Sequence, residues 1–178
     1  VWTQQQKLFA TIGESRDLFG TAVALHGDTL VAGAPAATTE GSFAQRPGAA
    51  YVFARVGTGW TQMQRLTPLD SVVNDSFGTA AALSGDTLAV GGWGGADNPY
   101  QGKSYIFSRV GNWLQQQKLT PSNRGLNDYL GWSVAVNGDT VVVGAPQDSI
   151  GTNTNQGSAY TFVAPACPAF TVNPASLP

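Results

Sequence analysis

A chain of 178 residues with 42% hydrophobic content is long enough for one domain and apolar enough to bury a core. Charged residues make up only 11% and the net charge is -2, which leaves no basic stripe for a phosphate backbone and argues against nucleic acid as a partner. No run approaches the roughly 18 apolar residues of a membrane-spanning helix.

Three copies of one pattern follow, starting at Trp2, Trp60 and Trp113, so the period is 58 and then 53 residues. In each copy a Gln-rich stretch comes first. Trp2, Gln4, Gln6 and Leu8 alternate with Thr3, Gln5 and Lys7, and the same alternation recurs from Trp60 to Leu66 and from Trp113 to Leu119. Period two predicts a strand, and its polar middle places it at the rim of a small sheet. A connection of ten residues then leads from Leu8 to Phe19, Leu66 to Phe77 and Leu119 to Leu130. Asp17, Asp75 and Asp128 lie in it, and a carboxylate repeated in every copy is read as turn scaffold.

The small residues of Thr21 to Leu25, Thr79 to Leu83 and Ser133 to Val136 predict an inner strand, packed where sheets converge and space is tight. Tight hairpins at Gly27-Asp28, Gly85-Asp86 and Gly138-Asp139 feed a second strand, Thr29 to Val31 with Thr87 to Val90 and Thr140 to Val143, read as buried on both faces. It stops at Gly33-Ala34-Pro35 and Gly144-Ala145-Pro146, and in the middle copy at Gly91-Gly92-Trp93. Tyr51-Val52-Phe53, Tyr105-Ile106-Phe107 and Tyr160-Thr161-Phe162 form the third strand, with aromatics for packing between sheets. Four strands per repeat of this length predict propeller blades, because one small sheet cannot cover its own faces. The fold class is all-β: three four-stranded antiparallel blades of an incomplete or oligomer-completed propeller, over residues 1–163. Residues 164–178 form a Pro-rich linker that could lead into an immunoglobulin-like domain.

Asp-x-Phe-Gly, Gly-Asp-Thr-Leu, Gly-Ala-Pro and Gly-x-Ala-Tyr-x-Phe together resemble bacterial FG-GAP repeats, related to the blades of the integrin alpha-subunit propeller. The resemblance covers residues 2 to 163. It implies an extracellular or cell-surface, secreted protein acting in adhesion, ligand binding or display, with enzymes a minority. Integrin-type repeats often carry a calcium loop of alternating acidic residues; here the loops 36–49, 94–103 and 147–158 hold one acidic residue apiece (Glu40, Asp97, Asp148). No metal and no cofactor is expected, since calcium wants six to eight oxygens. Asp148, Asn153 and Asn155 could at most make a weak site.

Those loops differ in length, with 15, 11 and 13 residues between Pro35 and Tyr51, Trp93 and Tyr105, and Pro146 and Tyr160. Variable loops on a constant scaffold are where binding concentrates. Phe43, Arg46, Trp93 and Tyr100 are the candidate ligand face for a glycan or a protein, with capping of the interior as the competing role for Phe43 and Trp93. No catalytic group is expected. His26 occupies a turn position held elsewhere by Ser84 and Asn137, and an Asp75–Asp97 carboxylate pair is the one arrangement left open. Cys167 reads as a linker thiol or as the partner of a cysteine outside this stretch, and Val1 in place of Met fits a processed chain.

Three blades do not close a ring, since propellers use roughly four to eight. Trp2 to Leu8 is an outer strand without an inner three, and Tyr160 to Val163 is a third strand without an outer partner. Trp2, Gln4, Gln6 and Leu8 on one side, Tyr160 and Phe162 on the other, are therefore candidate assembly strands, one molecule completing the last blade of another into a ring or filament. The alternatives are an excerpt of a longer chain and an adhesin module of a larger secreted protein.

Overall fold

The structure is a computed structural model and describes residues 1–38, 46–95, 100–123 and 125–165. Among these there is no helix. Eleven strands form three antiparallel sheets. The first is β1 (Ala22–His26), β2 (Thr29–Ala34), β3 (Ala49–Val56) and β4 (Gly59–Leu66), in that order. The second repeats it with β5 (Ala80–Ser84), β6 (Thr87–Gly92), β7 (Lys103–Val110) and β8 (Asn112–Leu119). The third has only β9 (Ser133–Asn137), β10 (Thr140–Ala145) and β11 (Ser158–Val163). The sheets are blade-like and do not close. β1 packs on β5 and β5 on β9, so the Ala- and Ser-rich inner strands stack in sequence where volume is smallest.

Side-chain alternation then fills the two junctions between blades. Val31, Val52 and Leu66 of the first blade meet Phe77, Leu88, Tyr105, Phe107 and Trp113 of the second. Leu119 and Ala89 meet Leu130, Val141 and Val143 of the third. Phe77 is fully buried, edge-on to Tyr105 with ring centroids 5.8 Å apart. Gly33-Ala34-Pro35 meets Phe77-Gly78 across the first junction, and Gly91-Gly92-Trp93 meets Leu130-Gly131 across the second: a Cβ added to Gly33 would stand 1.9 Å from the Gly78 carbonyl, and one on Gly91 2.1 Å from that of Gly131. Neither motif tolerates a side chain because the two backbones touch.

Two expectations change. The second strand is closely buried in β2 and β6 but only alternately in β10, whose far face has no blade on it. The outer strand is not a plain period-two strand. Opposite it, Val52 pairs with Gln64 and Phe53 with Gln62, leaving Met63 as a bulge; Ile106 and Phe107 leave Gln116 out in the same way. The extra residue flips the face halfway along. Trp60 therefore packs toward the N-terminal side while Leu66 packs toward the second blade, and Trp113 and Leu119 divide likewise.

Buried carboxylates hold the ten-residue connections. Asp17 accepts from the Glu14 N–H and Asp75 from the Val72 N–H, both at 2.7 Å, and Asp128 accepts from the Gly125 N–H. Asp75 also pairs with the Lys103 ammonium at 2.7 Å, both side chains nearly inaccessible. Lys103→Ala removes this ammonium from the buried carboxylate, and a loss of about 3–5 kcal/mol in urea unfolding is expected; a change under about 1 kcal/mol would show the pair to be dispensable.

In the same connection Asp70 accepts from the Lys118 ammonium at 2.7 Å and the Tyr105 hydroxyl at 2.8 Å. Partial burial raises its carboxyl pKa, but the two hydrogen bonds and the Lys118 charge outweigh this and hold it below the usual carboxylate value. A depressed pKa stabilises the fold above the unfolded value and loses that contribution as pH falls through the folded one. Asp70→Asn should therefore flatten part of the loss of melting temperature below about pH 4; parallel profiles for variant and wild type would overturn this role.

Candidate functional site

The clearest local departure from the repeat lies at β11. β3 and β7 each have partners on both sides, whereas β11 pairs only with β10. Among the described residues its other edge is open. Beside it lies a cavity of about 450 Å³ lined by Thr87, Ile106, Ser108 and Gln117 of the second blade and by Phe162 and Val163 of the third. At the first junction the equivalent cavity, lined by Thr29, Val52, Ala54 and Gln64, measures only about 130 Å³ because Trp113 fills it. Trp113 is 4% exposed. Among the described residues no indole enters the larger cavity, which Ala164 and Pro165 also line.

Residues 2–8 lie at the other end of the molecule. They form no strand, contrary to the sequence expectation; among the described residues no strand pairs with them. They nevertheless sit where an outer strand belongs. The Gln6 carboxamide accepts from the Trp60 N–H at 2.7 Å and donates to the Trp60 carbonyl at 3.0 Å. Gln64 makes the same two-point bond to Trp113, at 2.9 and 2.8 Å. Leu8 packs against the apolar cluster of Tyr51 and Phe53, as Leu66 and Leu119 do in their junctions. The second glutamine works backwards: Gln62 accepts from Thr11 N–H and Gln115 from Leu69 N–H. β4 is thus clamped on both sides, to residues 6–11 and to β8. Trp2 and Gln4 are exposed, Trp2 completely, and Gln117 is exposed as well.

Tyr160 and Phe162 lie on the near face of β11. Phe162 packs into the second junction, and the Tyr160 hydroxyl donates to Asp148 at 2.6 Å. Burial and the adjacent carboxylate push the Tyr160 pKa up. The same Asp148 oxygen accepts from Ser158 at 2.5 Å, and the Asn153 amide donates to Gln156. One Asp148 oxygen considered for weak calcium binding therefore already accepts from two protein hydroxyls.

On the long-loop face the structure brings Trp93 and Tyr100 together, stacked with centroids 6.1 Å apart. Sequence reading missed their companions. Tyr129 stacks on Tyr100 at 5.3 Å with 12° between the planes, and Trp132 stands edge-on to Tyr129 at 6.1 Å. A position-by-position comparison of the repeats would have flagged both, since Ser76 and Thr79 occupy those places in the second copy. Arg46 lies in the first blade's loop, where its carbonyl accepts from Asn74 N–H, and takes no part in the ring cluster. Phe43, Asp97 and Cys167 lie outside the described residues.

Stacked antiparallel sheets, a small-residue inner strand and glycine-to-glycine junctions define a protein built of propeller-type blades. The FG-GAP repeat family matches residues 2–53, 60–107 and 113–162. With most of its length matched, the chain belongs to that family. Among curated proteins none matches it.

Proposed function

We propose that this chain is a non-enzymatic, extracellular assembly module whose blades are completed between copies, residues 2–8 of one molecule supplying the fourth strand of another's third blade. The observation that carries the reading is the cavity beside β11, about 450 Å³ against about 130 Å³ for its Trp113-lined counterpart. Repeat geometry sets the expected contacts. Trp2 enters the cavity, its backbone meets Gln117, and Gln4 reaches the N–H of Ser122, the counterpart of Thr11 and Leu69. Burying an indole contributes about 4–6 kcal/mol before the costs of association are subtracted. The contact is head-to-tail, so it gives a ring if the rotation closes and a filament if it does not. The secreted, cell-surface setting rests on the character of the family and on the sparse surface charge.

Light scattering and electron microscopy of the wild type against a variant lacking residues 1–9 test the proposal. The wild type should form rings or filaments, and the truncated protein should be monomeric and bind a synthetic peptide of residues 1–9. A wild type that stays monomeric at high micromolar concentration overturns it. The second reading, a carbohydrate-binding adhesin, is favoured by the aromatic cluster.

A further inference from the structure

Equivalent positions in the repeats show that the aromatic cluster is not a requirement of the scaffold. Trp93 stands where the other blades have Pro35 and Pro146, Tyr129 where they have Leu18 and Ser76, and Trp132 where they have Thr21 and Thr79. The first junction folds with Pro35, Ser76 and Thr79 and needs no ring at any of the three. At the second junction all three are aromatic, and Tyr100 joins them from the loop. A core would hide such rings. Here Trp132 remains 52% exposed and Tyr100 44%.

Backbone geometry fixes the group. The Tyr129 N–H donates to the Tyr100 carbonyl at 2.9 Å, and the Trp132 N–H to the Tyr129 carbonyl at 3.2 Å. Tyr100 holds a left-handed conformation, φ 54°, which a non-glycine residue adopts at a cost. Main-chain bonds thus fix the backbone that carries the rings, and the ring-on-ring contacts order the rings themselves, which lowers the freedom lost on binding.

We propose that Trp93, Tyr100, Tyr129 and Trp132 form a binding platform for a neutral pyranose of a glycan chain, one sugar stacking its C–H face on the exposed Trp132 ring beside Tyr100. The size of the patch selects the ligand class. A stable protein interface engages roughly 20–30 residues a side, whereas four rings match one or two sugars. The chemistry agrees. A pyranose has an apolar C–H face and a hydroxyl rim, which suits aromatic rings carrying polar edges, and none of the four is a carboxylate, ammonium or guanidinium residue. The platform lies at the loop end of the second junction and does not use the β11 edge, so it is independent of assembly through residues 2–8.

Affinity electrophoresis of the full chain through gels containing hydroxyethyl cellulose, xylan, galactomannan or a β-1,3-glucan tests the proposal, with tryptophan emission recorded in parallel. At least one polysaccharide should retard the wild type and shift its emission. Trp132→Ala, a change at an exposed position, should weaken that retardation about tenfold or more, while Trp132→Phe retains most of it and His26→Ala, at the exposed β1–β2 hairpin, leaves it intact. Wild type unretarded by all four polymers, or Trp132→Ala retarded as strongly as wild type, overturns the proposal. Equal retardation of a variant with an unchanged melting temperature identifies the rings as packing alone.

Discussion

Trp2→Ala is expected to weaken association between copies by about 100-fold or more while leaving the melting temperature of the isolated molecule where it is. The two halves of that expectation have separate causes. In the single molecule Trp2 is wholly exposed, so its removal creates no cavity and breaks no contact. In the assembled form its indole takes the place that Trp113 holds at the first junction, where the ring lies against Thr29, Val52 and Gln64 and under the Arg109 guanidinium, 5.6 Å from the ring centre. A central aromatic anchor in a pre-formed pocket typically contributes 2–4 kcal/mol to binding, and each 1.4 kcal/mol is tenfold. Gln117→Ala should act in the same direction with a smaller effect, since it removes one two-point hydrogen bond. Sedimentation equilibrium reads both. Unchanged association of Trp2→Ala would place the interface elsewhere.

Gly78→Ala is expected to destabilise the fold by about 2–6 kcal/mol, the largest cost of any single methyl group considered. Two terms add. Gly78 has φ +96°, which no L side chain adopts without strain, at about 1–3 kcal/mol. The new Cβ would also stand 2.3 Å from the Ala49 carbonyl and 3.0 Å from the Ala34 nitrogen, backbone atoms that move only if the two blades part, for about 1–3 kcal/mol more. Gly85→Ala is the control. It too has positive φ, +56°, but nothing lies within 4 Å, so only the conformational cost of about 1–2 kcal/mol remains. Equal midpoints in urea for the two variants would show that the junction yields to a methyl group.

Much of this architecture is legible in the chain because the repeat supplies three readings of every position. Constant spacing from Leu8 to Phe19, Leu66 to Phe77 and Leu119 to Leu130, with a Gly-Asp hairpin after each inner strand, leaves few folds other than stacked four-stranded sheets. The Phe-Gly and Gly-Ala-Pro motifs could be recognised as places of close approach, but not as each other's partners: Gly33 and Gly78 lie far apart in sequence and meet only across a junction. The ring cluster was half visible. Trp93 and Tyr100 stood out as loop aromatics, whereas Tyr129 and Trp132 were hidden inside a motif read as scaffold, and only the stacking of the third blade on the second brings all four together.

Local pattern determined by itself that the chain is all-β, that it counts in blades, and where each hairpin turns, because strand periodicity and positive-φ glycine act over a few residues. The tertiary structure decided what the glutamines do. Period two would put Trp60, Gln62, Gln64 and Leu66 on one face; the bulge at Met63, imposed by pairing with the shorter path of Val52 and Phe53, sends the first two toward the preceding blade and the last two toward the following one. A bulge exists only in a pair of strands, so a single strand's sequence does not contain it. In β8 the same bulge leaves Gln117 on the far side, exposed beside an edge of β11 that is open among the described residues.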